Sequence, residues 1–545
     1  MVVLAIEALG VLIYMCLMRF SVLKNRGTKI KVAFLLLIGL IIFVRAYKYS
    51  TGMGLDLDEA EGGYNAWALA NYGVDEHLAS WPVYLSAWGS GMNILYPLIA
   101  VPFIKILGLS VAVYRLPLLV ISILAILLFF YTLIKIGEKD TTVFIVMMVV
   151  FLSPVMIEYS RWSVESNLFP WLMVIFVSLL LLFIKQFENN NQKWAIIDWT
   201  LFNIIVGISA YAYSNMWIFL ATFMVLIYVC LIWKLKKEAI KLVALSVIIL
   251  LVIVWPLALF LYVNYVSHKE IILFGNITIT KLVVNRSSSQ FVIGHGNDLV
   301  AIKNNLIDTF RVLITGYDGM AKNALPVVGA FYPFMLTFSL IGFGCSIARC
   351  SRTDMVFLIS VVACLPGICI ILPNYTHLSA FMLPVLYLEA VGVCYVCKNR
   401  YAKIAFSIIF ILALSVYMHI YFNARYYDLH NTAQETPIEL KDAIKKADSL
   451  NREIVVVSPF GKAMYVVPRF YLPISPAKFN KVKSNEIPAE HTYYSYYGKW
   501  HFNDRLDNNL DKSKVYIVSD AAESNGQLTN MNHKRYGTFT VYWRN

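Results

Sequence analysis

The sequence predicts a polytopic α-helical membrane protein that carries a small α/β domain outside the bilayer at its C-terminal end. Three observations lead there. Hydrophobic residues make up 59% of the 545 residues, and mean hydropathy is +0.65. Charged residues are only 14% of the chain, against roughly a quarter in a soluble domain. Apolar runs of about 20 residues, enough to cross a ~30 Å hydrocarbon core, recur along most of the length.

Taken in order, the runs give twelve spanning helices at about 2–19, 31–49, 111–136, 141–158, 167–186, 194–212, 215–234, 239–262, 328–348, 354–372, 376–396 and 402–421. The first has no basic start and no small-residue cleavage site, so it reads as a retained helix. A leftover stretch, NILYPLIAVPFIKILG (93–108), holds Pro97 and Pro102. Counting it as a span would reverse every later loop. The lysines decide against that. Lys24, Arg26, Lys29, Lys31, Lys135, Lys139, Lys185, Lys193, Lys234, Lys236, Lys237, Lys241, Arg349, Arg352, Lys398, Arg400 and Lys403 fall on one side under the twelve-span reading. The positive-inside rule makes that side cytoplasmic. Residues 93–108 then lie along the outer interface, and both termini are outside.

The formal net charge of +13 is therefore an orientation signal, and nucleic acid is not an expected partner. No glycine-rich phosphate loop marks an ATP-driven pump. The eight Cys lie in or at the ends of apolar runs. They form no disulfide framework, and Cys394-Tyr-Val-Cys397 has no second pair to make a metal site. The membrane domain is 1–422, with outer segments at 50–110, 159–166 and 263–327. The outer domain is 423–545. There ELKDAIKKADSL (439–450) has helical amphipathicity, while REIVVVSPF, KVYIVSD and GTFTVYWRN read as strands.

Chemistry concentrates in LDLDEAEGGYNAWALANYGVDEH (55–77). It holds six carboxylates, and no Lys or Arg follows until Lys105. Asp58 and Glu61 are three apart on a helical pattern that Gly73 ends, and Asp75, Glu76 and His77 follow. A solvated acidic loop is the plain reading. The interleaved Trp67, Trp81 and Trp88 argue instead for a loop lying on the membrane surface. There a carboxylate loses hydration and gains strength as a base. The adjacent acids also fit nucleophile activation or metal binding. No HxH or HxxxH spacing supports a metal, and a divalent ion stays open. The next outer loop, SPVMIEYSRWSVESNLFP (153–170), sets Arg161 four residues before Glu165. A lone Arg on the face that charge statistics leave empty suits a lipid-linked phosphate; the plain reading is an interfacial Arg161–Glu165 pair. Arg115, in VYRLP, reads as an interfacial anchor.

These stretches, with WPVYLSAWGSGMNILY, PFIKILGLSVAVYRLP, GISAYAY, NALPVVGAFYP and PNYTHLSAFMLP, resemble the bacterial dolichyl-phosphate-mannose protein mannosyltransferase-like glycosyltransferases. Those enzymes share the GT-C membrane fold with the lipid A aminoarabinose transferases. The resemblance covers roughly 30–390. It implies transfer of a sugar from a polyprenyl-phosphate donor to an extracytoplasmic hydroxyl of a glycan, lipid or protein, with inversion and no required cofactor. It implies that Asp58 and Glu59 supply the base, with Asp58 first. It implies that Arg161 contacts the donor phosphate, with Glu165, Asp75, Glu76 and His77 in support. The chain departs from the pattern at Leu78, where relatives often have Gly, and at GSGMN (89–93), where many have a Trp-Lys-Pro-Pro-like stretch. In NYTH, His377 stands where many have Arg; Arg286 or Arg311 would then supply the missing cation. Tyr211 and Tyr213 read as donor-groove or packing residues. A transporter or flippase, or a non-catalytic envelope assembly factor, is the rival class. Ionisable residues gathered at helix ends, with acids concentrated in one outer loop, favour surface chemistry over a translocation path.

Overall fold

The computed structural model describes residues 23, 25–51, 54–284, 290–294, 296–320, 322–423, 435–485, 493–507, 509–522 and 528–544. The helices, in order, are α1 Thr28–Ala46, α2 Leu57–Tyr72, α3 Leu95–Leu107, α4 Val111–Ile136, α5 Asp140–Phe151, α6 Pro154–Glu158, α7 Glu165–Glu188, α8 Gln192–Ser209 and α9 Trp217–Leu235. They continue with α10 Lys237–Tyr262, α11 Asp298–Thr315, α12 Leu336–Arg349, α13 Arg352–Ile370, α14 Ser379–Val396, α15 Arg400–Tyr421, α16 Leu440–Ser449, α17 Val466–Tyr471 and α18 Pro476–Val482. Each expected span on described residues overlaps at least one of these; the run 2–19 lies outside the described residues. Among the described residues seven helices are long and apolar enough to cross a membrane: α4, α7, α9, α10, α13, α14 and α15. The chain is a multi-pass membrane protein. The run 141–158 is cut by Ser153, after which Pro154 starts α6. The run 328–348 becomes helical only at Leu336. Residues 93–108 form the 13-residue α3, about 20 Å long and too short to span unaided.

The chain divides into two compact units. One comprises residues 1–49, 118–255 and 287–422. Its α14 is buried on nearly every side. Gly342 of α12 and Gly392 of α14 let these two helices touch backbone to backbone. A Cβ on either would collide with a carbonyl of the opposite helix, at Leu388 or Phe338.

The other unit comprises residues 50–117, 256–286 and 423–545. It is larger than the C-terminal domain expected from sequence, because the tail shares its core with the first outer segment. Leu55 and Ala60 sit among Leu440, Ile444, Val466 and Phe470. Strand β1 (Leu55–Asp56) pairs with β4 (Glu435–Thr436). β2 (Ile271–Leu273) and β3 (Ile277–Ile279) form a small hairpin. The tail is built on a six-stranded sheet of β5 Ile454–Val457, β6 Tyr496–Tyr497, β7 Trp500–Asn503, β8 Val515–Ser519, β9 Asn532–Tyr536 and β10 Phe539–Trp543. Their order is β6-β7-β5-β8-β10-β9. β5 is parallel to both neighbours, and every residue of β5 and β8 is buried, as expected of strands covered on both faces. The amphipathic pattern at 439–450 becomes α16, and the three expected strands become β5, β8 and β10.

Candidate functional site

The acidic stretch 55–77 folds as β1, α2 and a turn. Asp56 caps α2: its carboxylate accepts the Asp58 N–H at 2.8 Å, and Glu59 reaches back to the Asp56 N–H at 3.3 Å. Gly73, at φ +70°, closes the helix. The helix is buried on almost all sides from Glu59 to Ala66. Gly62 and Gly63 allow this: a Cβ on them would strike the Tyr114 hydroxyl and the Phe470 ring.

Five of the six carboxylates are buried and engaged. Glu59 receives Arg115 Nε at 2.8 Å and Nη2 at 2.5 Å, and Nη2 also reaches the Gly54 carbonyl at 2.5 Å. Arg115 is thus a buried partner rather than an interfacial anchor, 3% exposed in the interior of its unit. Glu61 and Glu76 share Arg469 of α17: Nη2 lies 2.6 Å from Glu61, and Nη1 donates to Glu76. The Arg469 guanidinium lies over the rings of Tyr64, Tyr465 and Phe479 at 4.0, 4.8 and 4.5 Å. Asn65 joins the pair, donating to Glu61 at 3.0 Å and accepting the Glu76 N–H at 2.9 Å. Burial and the neighbouring Glu76 push the Glu61 carboxyl well above its usual range. Burial works the same way on Glu76, but Arg469 and the proton kept on Glu61 hold it ionised and well below that range. His77 Nε2 lies 3.5 Å from Glu76; burial opposes its charge, yet Glu76 raises it.

Asp75 accepts the backbone N–H groups of His77 and Ala79, each at 2.9 Å. Its other oxygen has no partner among the described residues, and burial pushes the carboxyl up to about 6. A carboxyl raised on folding from about 3.8 binds its proton better in the native state. Its stabilising contribution is therefore full at low pH and is lost as pH rises through about 6. Asp75→Asn is expected to flatten thermal stability between about pH 4 and 6 and to leave it equal or higher at pH 7. Unfolding of the whole protein in detergent, followed against pH, checks this; an unchanged profile would contradict it.

Asp58 is the exception. It is half-buried in the first turn of α2, and Trp88 Nε1 donates to it at 2.9 Å. Trp88 sits in the stretch just before GSGMN, at φ +57°, a backbone conformation that non-glycine residues adopt at a cost of about 1–2 kcal/mol. Tyr465 and Tyr493 hold its ring edge-on, each at 5.8 Å between centroids. Tyr465 also lies against Arg469. The tail therefore shapes both the buried acid pair and the indole that orients Asp58.

The remaining expected site residues on described positions lie in the other unit. Arg161 is 2% exposed. Its Nη1 donates to the carbonyls of Val44 and Arg45 at 3.0 and 2.8 Å, and its Nη2 to Lys48 at 3.0 Å. Its Nε donates to Tyr421 at 3.1 Å, and its plane stacks on Tyr421 and Phe422. The carbonyls at the C-terminal end of α1 need donors, and this guanidinium supplies them. Glu165, 8% exposed, opens α7. His377 contacts the Leu372 carbonyl through Nδ1 at 2.6 Å and stacks on Tyr213. Tyr211 donates to the Ile253 carbonyl at 2.8 Å, a packing role. Arg311 is exposed on α11 and pairs with Asp308 at 2.9 Å. Arg286 lies outside the described residues.

No family model and no curated protein sequence matches the chain. Solved structures do. ArnT from Cupriavidus metallidurans bound to undecaprenyl phosphate is similar over 93% of this chain and 97% of its own, at 10% identity and TM-score 0.55. Its apo state gives the same coverage at 12% identity and TM-score 0.52. The fold is GT-C. The archaeal oligosaccharyltransferase AglB from Archaeoglobus fulgidus is similar over 82% of this chain at 12% identity and TM-score 0.48; the chain spans 63% of that longer protein.

On this GT-C frame, three residues that carry the acidic lip were absent from the sequence-derived set: Trp88, Arg115 as the Glu59 partner, and Arg469. Arg469 left one trace, a lone cation inside the otherwise uncharged AMYVVPRFYLPI.

Proposed function

We propose that the protein is an integral membrane glycosyltransferase that moves a hexose from a polyprenyl-phosphate donor to an extracytoplasmic hydroxyl of a glycan, lipid or protein. One observation carries the reading: of the six carboxylates in 55–77, five are buried in caps, pairs and turns, and only Asp58 is half-exposed and oriented by a hydrogen bond. The GT-C fold supplies the frame in which such a carboxylate does chemistry at the membrane surface.

In this reading Asp58 takes the proton of the acceptor O–H as that oxygen attacks the anomeric carbon. The bond from that carbon to the phosphate oxygen breaks, the lipid phosphate leaves with the electron pair, and the centre inverts. A phosphate leaves without a strong general acid, so one base and a cation for the phosphate suffice. Among the described residues of the expected set, Arg311 has an exposed guanidinium. Its pair with Asp308 is a surface pair of the kind worth about 0.2–1 kcal/mol, which a phosphate can displace. The catalytic loops face the outside of the cell membrane.

The test is transfer by the whole protein in lipid vesicles, from a panel of radiolabelled polyprenyl-phosphate sugars to glycan, lipid and peptide hydroxyls. Transfer from one donor establishes the activity; none across the full panel removes the reading. Chelation is expected to change the rate by less than about twofold, because Asp56 and Glu59, the acids nearest Asp58 in sequence, already serve a cap and an ion pair. A loss on adding EDTA that magnesium or manganese restores would show that a metal takes part.

A further inference from the structure

A groove of about 760 Å³ runs between α5 and α15. Its lining changes character along its length. Arg400 and Lys403, at the start of α15, stand at one end. Thr141 and Ser407 add hydroxyls. Beyond them the walls are apolar: Phe144 and Ile145 on α5, and Ile404, Ile408, Ile411 and Leu412 on α15. From Arg400 to Leu412 the helix advances about 18 Å at ~1.5 Å per residue. Ile404, Ile408 and Leu412 are about half-exposed or more, so the apolar wall is open along the flank of a helix apolar enough to span the membrane.

The charge at the mouth is one-sided. Among the described residues no acidic side chain lines the groove. Among the described residues neither Arg400 nor Lys403 belongs to an ion pair. The neighbouring carboxylate, Asp140 at the first position of α5, is bound by Arg26 Nε at 2.6 Å. Two cations at the end of an apolar trough match a molecule with one anionic head and a hydrocarbon chain. We propose that this groove binds an anionic phospholipid, with the head-group phosphate between Arg400 and Lys403 and an acyl chain along Ile404, Ile408 and Leu412. The occupant is a bilayer lipid because both cations lie at the lysine-bearing membrane face, where juxtamembrane cations attract anionic head groups. The volume falls within the range of ~300–1,000 Å³ typical of small-molecule sites. The acidic lip at 55–77 has no part in the argument, so the proposal stands apart from the glycosyl-transfer reading.

The experiment is native mass spectrometry of the full chain released from nanodiscs that contain equal phosphatidylglycerol and phosphatidylcholine, with undecaprenyl phosphate added in a parallel set. Selective retention of phosphatidylglycerol is expected. Arg400→Gln with Lys403→Gln should lower that retention about tenfold or more. Ser407→Phe keeps both cations but fills the trough, and should lower it as well. Gel filtration of each variant checks that it is folded. Equal retention of the two phospholipids would overturn the proposal, as would retention unchanged in both folded variants. Displacement of phosphatidylglycerol by undecaprenyl phosphate would also overturn it, because the groove would then hold the carrier lipid.

Discussion

Asp58→Asn is expected to lower glycosyl transfer by roughly 10²–10⁴-fold, the range that a positioned general base contributes. The side chain keeps its size, and one amide oxygen can still accept the Trp88 N–H. What is lost is the capacity to take a proton from the acceptor. Donor binding should be little changed, so the loss belongs in kcat. Trp88→Phe is the companion: it keeps an aromatic ring against Tyr465 and Tyr493 but removes the donor that orients Asp58 at 2.9 Å. It is expected to lower kcat by about tenfold, the scale of one hydrogen bond to a charged group, with donor KM unchanged. Replacing Trp88 by His, which can offer a ring N–H, should recover part of the loss. Full activity in a well-folded Asp58→Asn protein would sink its assignment as the base and turn attention to Glu165, since Glu59 is held by Arg115.

The second large effect is on stability. Arg469→Met strands Glu61 and Glu76, both fully buried, with no cation between them. Removing one partner of a buried ion pair costs about 3–5 kcal/mol. For a unit of roughly 200 residues that is about 2–4 °C of Tm per kcal/mol, a fall of around 10 °C. The sign of its pH dependence follows. Glu61 would be raised further above its unfolded value, and Glu76, held below it in the wild type by Arg469, would rise above it too, so the variant should be most stable at low pH and lose stability as pH rises through them. Adding Glu61→Gln and Glu76→Gln removes the stranded charges and should restore most of the lost Tm. If Arg469→Met unfolded at the wild-type temperature at neutral pH, the guanidinium would not be what neutralises this pair.

The fold was legible because lipid imposes it. A run such as 167–186 has few ways to satisfy its backbone in a bilayer other than a helix, and α7 covers it. In the tail, IVVV and VYIVS read as strands, and each is buried in the centre of the sheet. The site was legible in its acids and illegible in its cations. Glu61 and Arg469 are 408 residues apart in sequence, and no local pattern announces that they meet. Arg161 shows the converse. A single Arg in an outer loop gives no sign in sequence of the carbonyls of a helix end that it serves, and its four bonds show them. Trp88 was visible as an aromatic, but its role depends on a positive φ and on Tyr465 and Tyr493, which belong to the tail.

The distance along the chain between Glu61 and Arg469 also sets an order of events during translation. The ribosome delivers α2, with its acids, long before it delivers the cation that neutralises them. At about 5–20 residues per second, the interval is on the order of 20–80 s. Throughout that time the nascent lip holds carboxylates that cannot be buried in ionised form, and β1 waits for its partner at Glu435–Thr436. Most of the membrane-inserted helices are synthesised in between. A polypeptide released early would carry Asp58 without Trp88's aromatic supports and without Arg469. The lip closes only once Arg469 and β4 have been made, so a segment made late acts as proof of completion for one made early.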